Sequence, residues 1–154
     1  GPSIVMTAEA LLARQYLGWG RGHPSLHQGV ALVASDLEGP QERNIYYWYY
    51  ATQLLHNMKG KEWERWNPRV RDGLIRLQVR GEGCDRGSWD PASPEEDRWG
   101  LRAGRLYETS LSLLTLEVYY RYLPLYRETD GEIASREAEL ADEPPAAEAV
   151  GKQD

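Results

Sequence analysis

Apolar side chains recur along this chain at three- and four-residue intervals, the mark of helices that turn one face inward. The first stripe, Ala8, Leu11, Leu12 and Tyr16, predicts a helix over about 7–17, with Thr7 as its N-cap and Gly18, Gly20 and Gly22 beyond its end. A second pattern runs over 24–37. It starts at Pro24, in the first helical position, where the missing N–H costs nothing. A third covers 44–58 and stops before Gly60, a fourth covers 68–79, and a fifth covers 105–123 with Pro124 as its stop. The run Tyr46-Tyr47-Trp48-Tyr49-Tyr50 has the composition of a strand, but Ala51-Thr52-Gln53-Leu54-Leu55-His56 continues it with helical spacing. In the fifth segment Leu106, Leu111, Leu116 and Val118 make the helix apolar nearly all round, which predicts burial on two sides.

Two internal repetitions organise these elements. His23-Pro24-Ser25-Leu26-His27-Gln28-Gly29-Val30 returns 44 residues later as Asn67-Pro68-Arg69-Val70-Arg71-Asp72-Gly73-Leu74, and Trp19 and Trp63 keep the same offset. Ala8, Leu11 and Leu12 match Ala51, Leu54 and Leu55, and again Ser110, Leu113 and Leu114. A period in the forties marks stacked helix pairs, and such units bury their apolar faces only against neighbours. The fold class expected is therefore all-α, with the odd-numbered helices as an inner layer and the even-numbered ones as an outer layer. Residues 1–5 read as a leader, because Gly1-Pro2 resembles the scar that a protease leaves, and the helical repeats occupy 6–126. Residues 127–154, rich in Glu, Ala and Pro, read as a disordered acidic tail. Between the fourth and fifth helices, seven Gly and Pro residues in 80–104 mark a long loop of the length that often carries function.

Charge narrows the partners. The net charge of -6 lies in the tail, since residues 1–126 hold 15 basic and 15 acidic side chains while 127–154 hold 3 and 9. A neutral body offers no surplus cation for phosphates, so nucleic-acid binding is not expected, and no apolar run is long enough to span a membrane. The large rings are six Trp and ten Tyr with no Phe, so nearly every one brings an N–H or O–H that needs a partner when buried. Cys84 is the only cysteine and forms no internal disulfide.

Gly73-Leu74-Ile75-Arg76-Leu77-Gln78, a glycine-rich link, and Gly87-Ser88-Trp89 together resemble the QW repeat of the prenyltransferase and squalene-oxidase repeat family. The resemblance covers about residues 6–126. It implies an α/α toroid, two concentric rings of helices, as in squalene-hopene cyclases, protein prenyltransferase β-subunits and complement-type thioester domains. It also implies a structural role for Gln78, Gly87 and Trp89, the amide satisfying backbone groups at a helix end and the indole covering it. The chain has fewer hairpins than a closed ring needs, so the expectation is a partial, C-terminal arc of a longer repeat protein.

None of the family's chemistry carries over residue by residue. The Asp-x-Asp-Asp acid of the terpene cyclases has no counterpart, and Glu95-Glu96-Asp97 reads as a solvated charge run. Where protein prenyltransferases place a zinc-binding His, Arg105-Leu106-Tyr107-Glu108-Thr109-Ser110-Leu111 offers Glu108. His23 and His27 have metal spacing, but His23 reads as a helix cap. Gly83-Cys84-Asp85-Arg86 lacks the glutamine of a thioester. Arg105 and Glu108 are expected to form a surface pair. No catalytic residue, cofactor or metal is therefore expected. The candidates left are residues that would line a central cavity: Tyr46, Tyr49, Tyr50 and Gln53 on the third helix, and Glu108, Ser112 and Thr115 on the fifth. The leading expectation is a non-catalytic structural or protein-interaction module. Its partners would be further repeats of the same protein or a second copy. The alternatives are the C-terminal part of a terpenoid cyclase or isoprenoid transferase with its acid or metal ligands upstream, and a binding module for a hydrophobic ligand.

Overall fold

The computed structural model of the protein describes residues 3–35 and 43–121. These form six helices: α1 (Ile4–Tyr16), α2 (Pro24–Ser35), α3 (Ile45–Met58), α4 (Gly60–Leu77), α5 (Gly100–Leu116) and α6 (Val118–Arg121). The only β pairing among the described residues is an isolated bridge between Gln78 and Trp89, so the tyrosine-rich segment is helical and the fold is all-α. Leu37, Pro124 and the acidic tail lie outside the described residues.

Helix α3 is the centre of the molecule. It packs against α1 on one side and α5 on the other, while α2 and α4 touch each other, α2 packs on α1 and α4 packs on α3. The helices thus form a row, α1–α3–α5, with α2 and α4 as a second layer over it. Being flanked on both sides, α3 is buried without interruption from Ala51 to Met58. The core runs through this layer boundary and joins Leu12, Leu26, Val30, Leu54, Leu55, Trp66, Leu74 and Trp89. Between α1 and α2 the backbones approach closely enough that a Cβ on Gly29 would collide with the Leu11 side chain.

The helix boundaries depart from the sequence pattern in three places. Helix α1 starts at Ile4, capped by Ser3, whose hydroxyl accepts a long 3.5 Å bond from the Met6 N–H. Thr7 lies inside the first turn and its hydroxyl donates to the Ser3 carbonyl at 2.9 Å, so it is not the cap. Helix α4 starts at Gly60, directly after Lys59 and Gly60 turn the chain at φ 60° and 78°, and therefore contains Asn67 and Pro68 in its interior. Its buried residues, Trp63, Trp66, Val70 and Leu74, explain this: they form one stripe at helical spacing, and burying two indoles outweighs the hydrogen bond that Pro68 withholds. The second copy of the His-Pro motif is thus no helix start, whereas the first is: Pro24 opens α2 and His23 Nδ1 accepts from the Ser25 N–H at 3.2 Å. Helix α5 begins at Gly100, kinks at Gly104 (φ 80°, ψ 178°) and ends at Leu116, so the loop that precedes it is shorter than 80–104.

The burial of α5 also differs from the pattern. Leu106 is 81% exposed and Leu113 44% exposed, and the face turned inward is Glu108, Ser112 and Thr115. Ser110, Leu113 and Leu114 therefore do not repeat the buried stripes of α1 and α3. A buried cation near the start of α3 explains why a polar face turns inward.

Candidate functional site

That cation is Arg43, 5% exposed. Its guanidinium donates to Glu108 Oε2 at 3.0 Å and to the carbonyls of Ser93 and Glu95 at 3.1 and 3.0 Å. Asp97, fully buried, completes the cluster. Its Oδ2 accepts from the Ile45 N–H at the start of α3 (2.7 Å), and its Oδ1 accepts from the Trp99 N–H just ahead of α5 (2.9 Å). A negative charge is stabilised at both helix starts, where amide N–H groups lack intrahelical partners. The loop folds around these groups: the Asp97 N–H reaches the Pro91 carbonyl and the Arg98 N–H reaches that of Arg43. Gly100 is required here, because a Cβ would come within 2.6 Å of the Pro91 oxygen.

Glu108 is the unusual member. Its carboxyl is pushed up to about 8, first by burial and then by the charge of Asp97, with Arg43 pulling the other way. Near neutrality Glu108 is therefore largely in its neutral form, which lowers the cost of burying its carboxyl in a dry site. A hydrogen bond between the Glu108 and Asp97 carboxyls adds to the rise, and the Ser112 hydroxyl one turn later has no hydrogen-bond partner among the described residues. Local pattern does not mark the cluster: Asp97 sits in an acidic run with the composition of a solvated segment, and Arg43 is a lone cation ahead of α3. Only Glu95 and Glu96 of that run are exposed. The expected Arg105–Glu108 pair does not form, because Glu108 faces inward to Arg43 while Arg105 pairs with Asp90 and donates to Ser88 Oγ.

Beside the cluster lies a groove of about 570 Å³ between the start of α1, the start of α3 and the first turns of α5. Ile4, Val5, Met6, Tyr46, Trp99 and Tyr107 supply apolar walls, and Ser3, Asn44 and Arg98 a polar edge. Burial, together with the charges of Asp97 and Glu108, pushes the Tyr107 phenol up to about 12, so it remains a neutral donor.

The expected cavity residues lie in several separate environments. Tyr46 lines this groove, donates to Glu9 Oε2 at 3.2 Å and packs on Tyr50 with ring centres 4.8 Å apart. Tyr49 stands edge-on to Tyr50 at 5.1 Å. Gln53 is buried between α1 and α3, where its oxygen accepts from the Tyr16 hydroxyl at 3.2 Å and its amide donates to the Tyr49 carbonyl at 3.3 Å. Glu108 and Ser112 are fully buried in the helix packing. Thr115 borders a smaller hollow of about 340 Å³ with Thr52, Val70 and Tyr119, and donates to the Leu111 carbonyl at 2.7 Å.

Gln78, Gly87 and Trp89 come together at the end of α4. Trp89 is 1% exposed, and its indole N–H donates to the Leu74 carbonyl in the last turn at 2.8 Å. The Gln78 amide donates to the Gly87 carbonyl at 3.0 Å, so it ties the loop rather than the helix end, and Gly87 makes the turn at φ 84°. The indole is the group that closes the helix terminus. His23 and His27 do not converge on a third ligand: among the described residues no group of three His, Cys, Asp or Glu is arranged to hold a metal ion. Cys84 is exposed and unpaired, and no described helix is long and apolar enough to cross a membrane. Compared with family models, curated proteins and solved structures, the chain matches none.

Proposed function

We propose that the protein is a non-catalytic module of helical hairpins that acts by packing the open sides of its helix row against other polypeptide. The observation that carries this reading is the contrast within the row. Helix α3, covered on both flanks, is buried from Ala51 to Met58, while α1 leaves Met6 58% exposed, its C-cap Leu17 is 77% exposed and α5 leaves Leu106 81% exposed. Large apolar side chains left exposed on the outer helices of a layer are candidates for a contact surface. The test is binding of anilinonaphthalene sulfonate to the purified, folded chain. The reading expects fluorescence that falls when Leu106 and Leu113 are replaced by Glu. A monomer that binds no dye would sink it.

The same reading places the two layers as an arc of an α/α toroid of the prenyltransferase and squalene-oxidase repeat type. Its support is the approach of Gln78 to Gly87 and of Trp89 to Leu74, together with the shared design of α1 and α3. A second reading, a binding module for a hydrophobic ligand, has one observation in its favour: the aromatic-walled groove beside Tyr46 and Tyr107 has the volume of a small-molecule site. Native mass spectrometry of ligands that co-purify would decide for it, and a clean apo mass would decide against it.

A further inference from the structure

The groove beside the acid cluster has a polar edge of one kind. Among its described lining residues there is one cation, Arg98, and no Asp or Glu. The Arg98 N–H donates to the Arg43 carbonyl at 3.0 Å, which sets Arg98 next to Asn44 on the same edge. Asn44 is 6% exposed and its Oδ1 is taken by the Tyr47 N–H at 3.1 Å, so the side-chain group it has left to offer is the amide NH2, a donor. The Tyr107 hydroxyl stays protonated in the field of Asp97 and makes no hydrogen bond to another described residue. Asp97 itself does not line the groove: it is fully buried, with its oxygens on the Ile45 and Trp99 N–H groups. Helix α1 starts at this edge with no acidic residue in its first turn, so its field also favours a negative charge. The rest of the wall, including Val5, Met6, Ala103 and the Trp99 ring, is apolar.

Donors and a single positive charge beside an apolar wall complement a ligand with one anionic acceptor group and a hydrocarbon body. From this we infer that the groove binds an apolar monocarboxylate, its carboxylate held by Arg98, the Asn44 amide and the Tyr107 hydroxyl, and its hydrocarbon laid along Val5, Met6 and Trp99. The inference rests on the ligand-binding reading above and names the chemical class of the ligand. A carboxylate presents two oxygens in one plane, which a guanidinium fork meets with two parallel bonds, and its remaining lone pairs suit the amide and the phenol. The Arg98 guanidinium lies over the Trp99 ring, 5.9 Å from its centre, which places the charge at the border of the apolar wall. Phosphate fits less well, because it brings a second negative charge that no second lining cation meets. An ammonium ligand would find no carboxylate on the lining and would face Arg98. A ligand without any acceptor would cover the donors of Asn44 and Tyr107 and leave them unpaired.

Titration calorimetry of the full chain with decanoate below its micellar concentration tests this, with decanol and decylamine as head-group controls and inorganic phosphate as an anion without a hydrocarbon body. Decanoate is expected to bind, and each of the other three to bind at least about tenfold more weakly, the share of a charge-assisted hydrogen bond. Arg98→Gln should weaken decanoate by roughly 10- to 100-fold and leave decanol unchanged, and Tyr107→Phe should weaken decanoate by a smaller factor. Ala103→Trp, which fills the groove from an exposed position, should abolish binding of decanoate and decanol alike. Should that variant fail to fold, Ala103→Leu, a smaller intrusion at the same position, replaces it. Decanol or phosphate bound as tightly as decanoate, or a decanoate affinity that Arg98→Gln does not move, overturns the inference. The ligand-binding reading fails separately: decanol binding that Ala103→Trp removes keeps that reading and loses the carboxylate, whereas a groove that takes neither decanoate nor decanol loses both.

Discussion

At the scale of single residues, two buried groups titrate in opposite senses. Glu108 has its carboxyl raised to about 8, so the folded state holds its proton more tightly than the unfolded chain, whose carboxyl titrates near the usual value of about 4.3. The stability this contributes is complete below that value and is lost as pH rises through about 8. His56 is lowered to about 4, by burial first and then by Lys59, whose Nζ sits 3.0 Å from its ring. Its contribution is complete above about 6.5 and is lost as pH falls through about 4. Above pH 6.5 only the Glu108 effect remains, so the melting temperature is expected to decline from there to about pH 8. Glu108→Gln should remove most of that decline, as thermal melts across the range would show, and an unchanged slope would refute the assignment. Arg43→Met tests the cluster differently, because it takes the donor away from Glu108 Oε2 and from the Ser93 and Glu95 carbonyls. A loss of roughly 1–3 kcal/mol is expected from chemical denaturation, the cost of leaving buried acceptors without their donor.

At the scale of elements, the largest gap between pattern and structure is at Pro68. At a helix start it would be harmless, but inside α4 it removes the N–H that the Glu64 carbonyl would accept from. Pro68→Ala is therefore expected to raise stability, by up to about 3 kcal/mol in urea unfolding, and a neutral result would mean that α4 begins at Pro68 after all. Gly104 makes the opposite case. Its φ of 80° disfavours any side chain, so Gly104→Ala should destabilise by roughly 1–2 kcal/mol and straighten α5. These two sites also show what the sequence made legible. The spacing of Ala51, Leu54 and Leu55 was enough to read α3 as a helix against its strand-like composition, and Asn44 was legible as its first residue and is its cap. Local motifs misled where packing decided. The Asn67-Pro68 pair is a start signal, but Trp63 and Trp66 have more apolar surface to bury and extend the helix upstream. On α5 the leucines form a plausible stripe, yet Arg43 and Asp97, more than ten residues away along the chain or in another element, decide that Glu108 faces inward. Pairings of that kind leave no periodic trace.

At the scale of the molecule, the row of helices implies a gradient of local stability. Helix α3 has neighbours on both flanks and a covering layer, so freeing its amides requires most of the fold to open. Helices α1 and α5 each have a flank in solvent and can open without disturbing the far side of the row. Hydrogen exchange of the monomer is therefore expected to be slowest in α3 from Ala51 to Met58, at the rate set by global unfolding. Exchange should be faster in α1, and fastest in α5 near the Gly104 kink, where the hydrogen-bond ladder is already interrupted. Raising the concentration tests how the open sides are used. If copies pack through those sides, protection should rise in α1 and α5 together and leave α3 unchanged, since α3 is already covered. A rise confined to α5 would point to pairing of like faces. Equal exchange across all three helices would mean that the row opens as one unit, and that its two ends are no more available to a partner than its centre.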